Sequence, residues 1–142
     1  MFQRDKVRGF SLVELLLVLA LIGIISGIAI PTFLGQRRRA RVVGDAQSNA
    51  RVLAMALEGR KAENGIYGTG GTYAWTASGG RPATDLAPSF IPKGASKMNY
   101  SLLVGSTGIT YLMTVTDPSI SNAPVLTATQ SGAVTLDAGY NK

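Results

Sequence analysis

Gly9-Phe10-Ser11-Leu12-Val13-Glu14 brings a small residue, an aromatic residue and an acid into one short stretch, directly ahead of an apolar run. From Leu15 through Gln36 there are 22 consecutive residues without a formal charge, most of them Leu, Ile, Val, Ala or Gly. About 20 such residues suffice to cross a hydrocarbon layer as a helix. Glu14 stands at the edge of this run. A carboxylate in lipid costs roughly 2.5–3.5 kcal/mol at a helix centre and less near an end, so Glu14 needs a cation. Small residues mark the cleavage sites of secretory signals, but there they come after the apolar core. Here Gly9 precedes it. Cleavage after Gly9 would keep the whole apolar segment and create a charged amine on Phe10, four residues from Glu14.

The elements that must present this chemistry can be read in order. Met1–Gly9 is a short polar leader in which Arg4, Lys6 and Arg8 face one acid, Asp5. Its loss takes the formal side-chain charge from +6 to a remaining +4. A helix is expected from Phe10, apolar around its whole circumference from Leu15 to Ile30, as befits a helix with lipid or other helices on every side. Gly23 and Gly27 stand four apart, a spacing that lets a second backbone approach closely, although glycine is also simply common in membrane helices. Pro31 lacks an amide hydrogen and should kink or loosen the helix near Gly27. Whether Gly23, Gly27 and Pro31 mark a segment that melts or a static kink stays open.

Arg8 through Glu14, with the apolar run containing Gly23 and Pro31 behind them, resembles the class III signal of type IV pilins and type II secretion pseudopilins. The resemblance is strong over residues 1–35, weaker to about Asn64, and only architectural beyond. It implies that a prepilin peptidase/N-methyltransferase cleaves between Gly9 and Phe10 and methylates the Phe10 amine. It implies that Glu14 pairs with the Phe10 amine of a neighbouring subunit in a helical homo-oligomeric filament, that the segment around Gly23, Gly27 and Pro31 gives the helix flexibility, and that an inner-membrane assembly platform and minor pilins are partners. The precursor would be a single-pass inner-membrane protein with its N-terminus cytoplasmic, lying in lipid until it joins an extracellular fibre. The expected fold is α+β: a long N-terminal helix, transmembrane in its first half and kinked near Pro31, packed by its second half on a small antiparallel sheet of about four strands.

The chain is expected to divide into five segments: a leader at 1–9, a transmembrane or filament-core helix at 10–36, an amphipathic helix half at 37–64, a Gly/Pro-rich loop at 65–97 and an antiparallel region at 98–142. Arg37, Arg38, Arg39 and Arg41 form a basic collar at the end of the spanning run, as juxtamembrane basic clusters do. Nucleic acid is the less favoured partner, since no recognisable binding motif accompanies them, and DNA stays unresolved. Val43, Ala46, Ala50, Leu53 and Leu57 recur at spacings of 3 and 4 and should dock on the sheet, leaving Asp45, Asn49 and Glu58 on other faces. Asn64-Gly65 reads as the helix stop. Tyr67, Tyr73 and Trp75 should pack the loop against the domain, Thr84–Pro88 should form a short turn, and Phe90 or Ile91 should be buried. Period-two alternation predicts hairpins over 98–104/109–116, turning at Gly105–Gly108, and over 125–129/133–136, turning at Ser131-Gly132. Asp117 should open its own turn.

The chain has no cysteine and no histidine. That excludes a disulfide framework, a Cys/His metal site and a His-based triad. No phosphate-binding glycine loop of the Gly-x-x-x-x-Gly-Lys type is present, and the acids lack metal-ligand spacing. No enzyme activity, cofactor or metal is expected. Two alternatives remain beside the pilus subunit. One is a type II secretion pseudopilin; major members of that group carry a calcium site built from C-terminal acids, whereas residues 117–142 here hold only Asp117 and Asp137. The other is a monomeric single-pass protein with an outer binding domain, which would keep Met1.

Overall fold

The computed structural model describes residues 9–76, 86–94, 97–119, 123–132, 134–137 and 139. The leader Met1–Arg8, and Thr84 and Asp85 of the expected short turn, lie outside them. The chain divides into two units, residues 1–37 and 38–142. One helix, α1, runs from Leu12 to Asn64 and contributes to both.

In the first unit no described residue is buried. Leu16, Leu17, Leu19, Leu21 and Ile22 are all more than half exposed although, at 3.6 residues per turn, they point all round the helix. α1 is the one helix among the described residues that is long and apolar enough to cross a membrane. It continues through Pro31. Proline removes the hydrogen bond to the carbonyl four residues back, and the next side chain adds one nearby: the Thr32 hydroxyl donates to Ala29 O at 2.9 Å and, more weakly, to Ile28 O at 3.4 Å. Both acceptors lie just beyond Gly27, the residue whose carbonyl Pro31 leaves without its helical donor.

The second unit is a helix on a sheet. Its five strands are β1 (Gly71–Trp75), β2 (Asn99–Val104), β3 (Tyr111–Asp117), β4 (Ala123–Thr129) and β5 (Val134–Leu136). They lie side by side in chain order and every pair is antiparallel. Strands β2 to β5 are the two expected hairpins, with boundaries shifted by a residue or two. Strand β1 is additional, in the segment read as loop. Thr72, Tyr73 and Trp75 favour a pleated surface, and the glycines around them hid a five-residue strand.

Cross-strand register builds the core in rows. Trp75, Tyr100, Val115, Leu126 and Leu136 are successive partners across the sheet, as are Tyr73, Leu102, Met113, Ala128 and Val134. The opposite face carries Ser101, Thr114, Thr127 and Thr135, the apolar-in, polar-out division of a one-sided antiparallel sheet. A register shift between Val115 and Thr116 leaves Val125 as an extra residue, and both Val125 and Leu126 are fully buried. Phe90, not Ile91, is buried; its ring meets Trp75 and Tyr100 edge-on at 5.8 and 5.4 Å between centroids. Tyr67 and Trp75 are buried as expected, and Tyr73 packs at the margin.

The helix lays Val42, Ala46, Asn49, Ala50, Leu53 and Leu57 against this face. Two expectations change here. Val42 takes the buried place and Val43 lies at the edge. Asn49, placed on a polar face from sequence, is only 6% exposed, because its amide pairs with both main-chain groups of one residue: Nδ2 donates to Lys93 O at 2.6 Å and Oδ1 accepts from Lys93 N at 3.0 Å. Nor is Glu58 merely a solvated charge. The Tyr67 hydroxyl donates to its Oε1 at 2.6 Å, while the Lys61 ammonium lies 4.7 Å from the centre of the same ring.

The helix ends at the expected stop. Gly65 has φ 76° and its amide donates to Lys61 O at 2.8 Å, a left-handed glycine terminus. The Gly105–Gly108 reversal closes with Gly105 N donating to Thr110 O at 2.9 Å. It also holds the residues just past the helix, since Tyr67 N donates to Gly108 O at 2.7 Å. Ile109, expected to continue the inward row, precedes the strand and is half exposed.

Candidate processing and assembly site

Gly9, Phe10 and Ser11 are not helical and are exposed. Among the described residues nothing lies within 4 Å of the place a Gly9 side chain would occupy. Phe10 is 79% exposed. The Gly9–Phe10 peptide bond therefore sits in open chain immediately before a helix. The helix begins there because Ser11 can cap it: serine at this position is among the preferred N-caps. Ser11 O accepts from Leu15 N at 3.2 Å, and Ser11 N donates to Glu14 Oε2 at 3.4 Å. Ser-x-x-Glu at a helix start is a capping box.

Glu14 thus has two stabilising features within its own chain. Its carboxylate reaches back to the Ser11 amide, and it lies in the first turn, where the positive end of the helix dipole favours an anion by about 0.3–1 kcal/mol. The same field disfavours a cation on Phe10. In the sequence, the signal for the capping role of Ser11 is its Ser-x-x-Glu spacing to Glu14.

Residues 4–30 match the family model described as the prokaryotic N-terminal methylation motif. The chain carries a class III prepilin signal. The match covers this N-terminal stretch, which includes Gly9, Phe10 and Glu14, and with the apolar helix it supports a membrane-anchored precursor of the type IV pilin or pseudopilin kind. Such a signal implies processing by a prepilin peptidase and assembly into pilin-type filaments. No curated protein and no solved structure matches the chain significantly.

The other residues singled out from sequence lie along α1. Gly23 and Gly27 are exposed, with open space beside each. Arg37 belongs to the first unit; Arg38, Arg39 and Arg41 belong to the second, and all four are exposed. Arg38 Nη2 donates to Ser119 Oγ at 3.0 Å. Ser119 in turn gives its amide and its hydroxyl to Asp117 Oδ1, at 2.8 and 2.5 Å. Asp117 does open its own turn, as expected, and it is buried. Arg38 and Arg41 share a groove with Lys97 and this turn. Lys97, from the segment before β2, was not singled out; nothing in its local sequence connects it to residues on the helix.

Proposed function

We propose that the chain is a structural subunit of a type IV pilus-like filament. The observation that supports this best is the methylation motif laid over an exposed Gly9–Phe10 bond, a capped helix start and a helix apolar on all sides. Removal of residues 1–9 gives Phe10 an α-amine, which is largely protonated at neutral pH, with an ordinary pKa of about 7.7–8.0. Its own helix dipole opposes that charge. A neighbour's Glu14, displaced along the bundle, supplies the anion. Two unit charges at 4 Å attract by about 4 kcal/mol at an effective dielectric of ~20, against about 1 kcal/mol in water. The pair therefore gains strength when apolar helices close around it, and it fixes the stagger between subunits. The first part of α1 forms the filament core and the second unit its sheath. A structural role, without catalysis, belongs to the same reading.

A pseudopilin of a secretion system shares the N-terminal logic. The C-terminal acids favour the pilus: Asp117 is committed to Ser119, and Asp137 Oδ1 accepts from Gly139 N at 2.9 Å. Mass spectrometry of the mature N-terminus, together with imaging of surface fibres, tests the proposal. A methylated Phe10 terminus and long fibres are expected, with folding indifferent to calcium chelation. An intact Met1 in the working protein would sink the filament and leave a single-pass membrane protein. Short periplasmic polymers whose subunit unfolds on chelation would favour the pseudopilin.

A further inference from the structure

The second unit contains a groove of about 540 Å³ whose walls bring together residues far apart in sequence. Arg38 and Arg41 come from the helix, Lys97 from the segment before β2, and Asp117 and Ser119 from the turn after β3. Clefts that take small ligands span roughly 300–1,000 Å³. Three cationic side chains face this one against a single carboxylate, which already accepts two hydrogen bonds from Ser119. The Asp117–Ser119 turn orients one wall, because Ser119 Oγ, held by Asp117, accepts from Arg38. Arg38 is thereby aimed into the groove rather than left to sweep solvent.

The geometry points to a binding site for the phosphate headgroup of an anionic phospholipid, occupied while the subunit waits in the membrane. Guanidinium groups match phosphate geometry, and a nearby ammonium adds charge. Arg38 and Arg41 lie within five residues of Gln36, where the uncharged run ends. A run long enough to cross the bilayer carries its C-terminal flank to the headgroup layer, where each basic residue near an anionic surface contributes about 1 kcal/mol. A second copy is a poorer occupant of this groove, because among the described residues it offers no cluster of acids to meet the three cations. Nucleic acid is poorer too: no aromatic side chain lines the groove among the described residues, so bases have nothing to stack on. The inference rests on the reading of residues 10–36 as lipid-inserted, but not on filament formation.

The test uses the full mature chain, isotope-labelled, in uncharged maltoside micelles. It is titrated with dihexanoyl phosphatidylglycerol, dihexanoyl phosphatidylcholine, glycerol 3-phosphate and a short DNA duplex. Amide resonances of Lys97 and Ser119 should shift saturably with phosphatidylglycerol, and the other three should bind at least tenfold more weakly. R38Q combined with K97Q should weaken phosphatidylglycerol at least tenfold, and R51Q should not. R41Q provides an independent lesion if the double variant loses its native spectrum. Equal binding of phosphatidylcholine overturns the site. So does tighter binding of glycerol 3-phosphate or DNA, or unchanged affinity in R41Q. Mature termini and fibres are scored separately, so a subunit that binds lipid but never polymerises defeats the filament alone.

Discussion

Ser11 N donates to Glu14 Oε2 at 3.4 Å, so the acid of the methylation motif is held by its own helix start before any neighbour arrives. The contact is long, at the outer edge of hydrogen-bond geometry. On the proposed reading, a short, charge-assisted bond from a neighbour's amine would displace it readily. Glu14 would then have two roles that can be separated. Glutamine also serves at this position of a capping box, so Glu14→Gln keeps the cap and loses the charge. The variant should be cleaved and inserted normally, yet yield at least about tenfold fewer fibres, consistent with a lost ion pair of a few kcal/mol. Glu14→Leu should behave likewise. Fibre counts by electron microscopy decide it; wild-type numbers from Glu14→Gln would leave the capping role standing and remove the pairing.

Asn49 joins the helix to the Lys93 peptide through two hydrogen bonds. Asn49→Ala removes both contacts to the Lys93 main chain, which are part-buried. Each lost hydrogen bond costs about 0.5–1.5 kcal/mol. Thermal unfolding monitored by circular dichroism should show a clearly lowered Tm, while processing at Gly9–Phe10 is unchanged. A Tm within error of wild type would mean that water replaces the asparagine.

Gly108 has φ 73°, and a β-carbon there would come 2.5 Å from Gly68 O and 3.1 Å from Ile66 Cβ. Gly108→Ala combines a left-handed backbone with a clash against main chain. Strain of this kind costs on the order of 1–3 kcal/mol, and here the neighbour cannot rotate away. The variant should unfold at lower denaturant concentration and lose the Tyr67 N–H protection that its bond to Gly108 O confers. Hydrogen exchange at Tyr67 distinguishes this local opening from a general loss of stability.

Alkaline pH offers a fourth test. Burial, and then the Glu58 carboxylate it bonds, push the Tyr67 hydroxyl up to about 12. Tyr111 is also raised to about 12, by burial and then by Glu58 and Tyr67. Burial raises Tyr100 to about 12 against an opposing contribution from Asn49. The ordinary tyrosine value is about 10. The unfolded chain therefore gives up these protons first, and stability falls as pH rises from about 10 towards 12. Below 10 the three tyrosines exert no pH dependence. Tyrosinate absorbance should rise together with unfolding in that window; full ionisation of the tyrosines near pH 10 in a folded protein would contradict their burial.

Much of this architecture was legible because local chemistry dictates it. Gly65, the alternation from Tyr111 to Val115, and the Ser131-Gly132 reversal each state their role within a few residues. The places that misled are those where a distant partner decides. Asn49 looks polar until Lys93 arrives across 44 positions to satisfy it. Val42 and Val43 fit a helical stripe equally well, and only the sheet chooses between them. The Gly71–Trp75 segment is a strand because β2 pairs with it, not because its own glycine-flanked sequence insists. Lys97 joins Arg38 and Arg41 through the fold alone.

The strictly sequential order of the five strands has a consequence for biogenesis. Every strand finds its partner in the next strand along the chain, and from β2 to β5 each loop closed is short, the longer connection being the one between Trp75 and Asn99. On the proposed reading, the sheet would zip up progressively as it is delivered across the membrane. On the same reading, a subunit built this way would be ready for polymerisation soon after translocation, with no cysteine to make disulfide formation a timer.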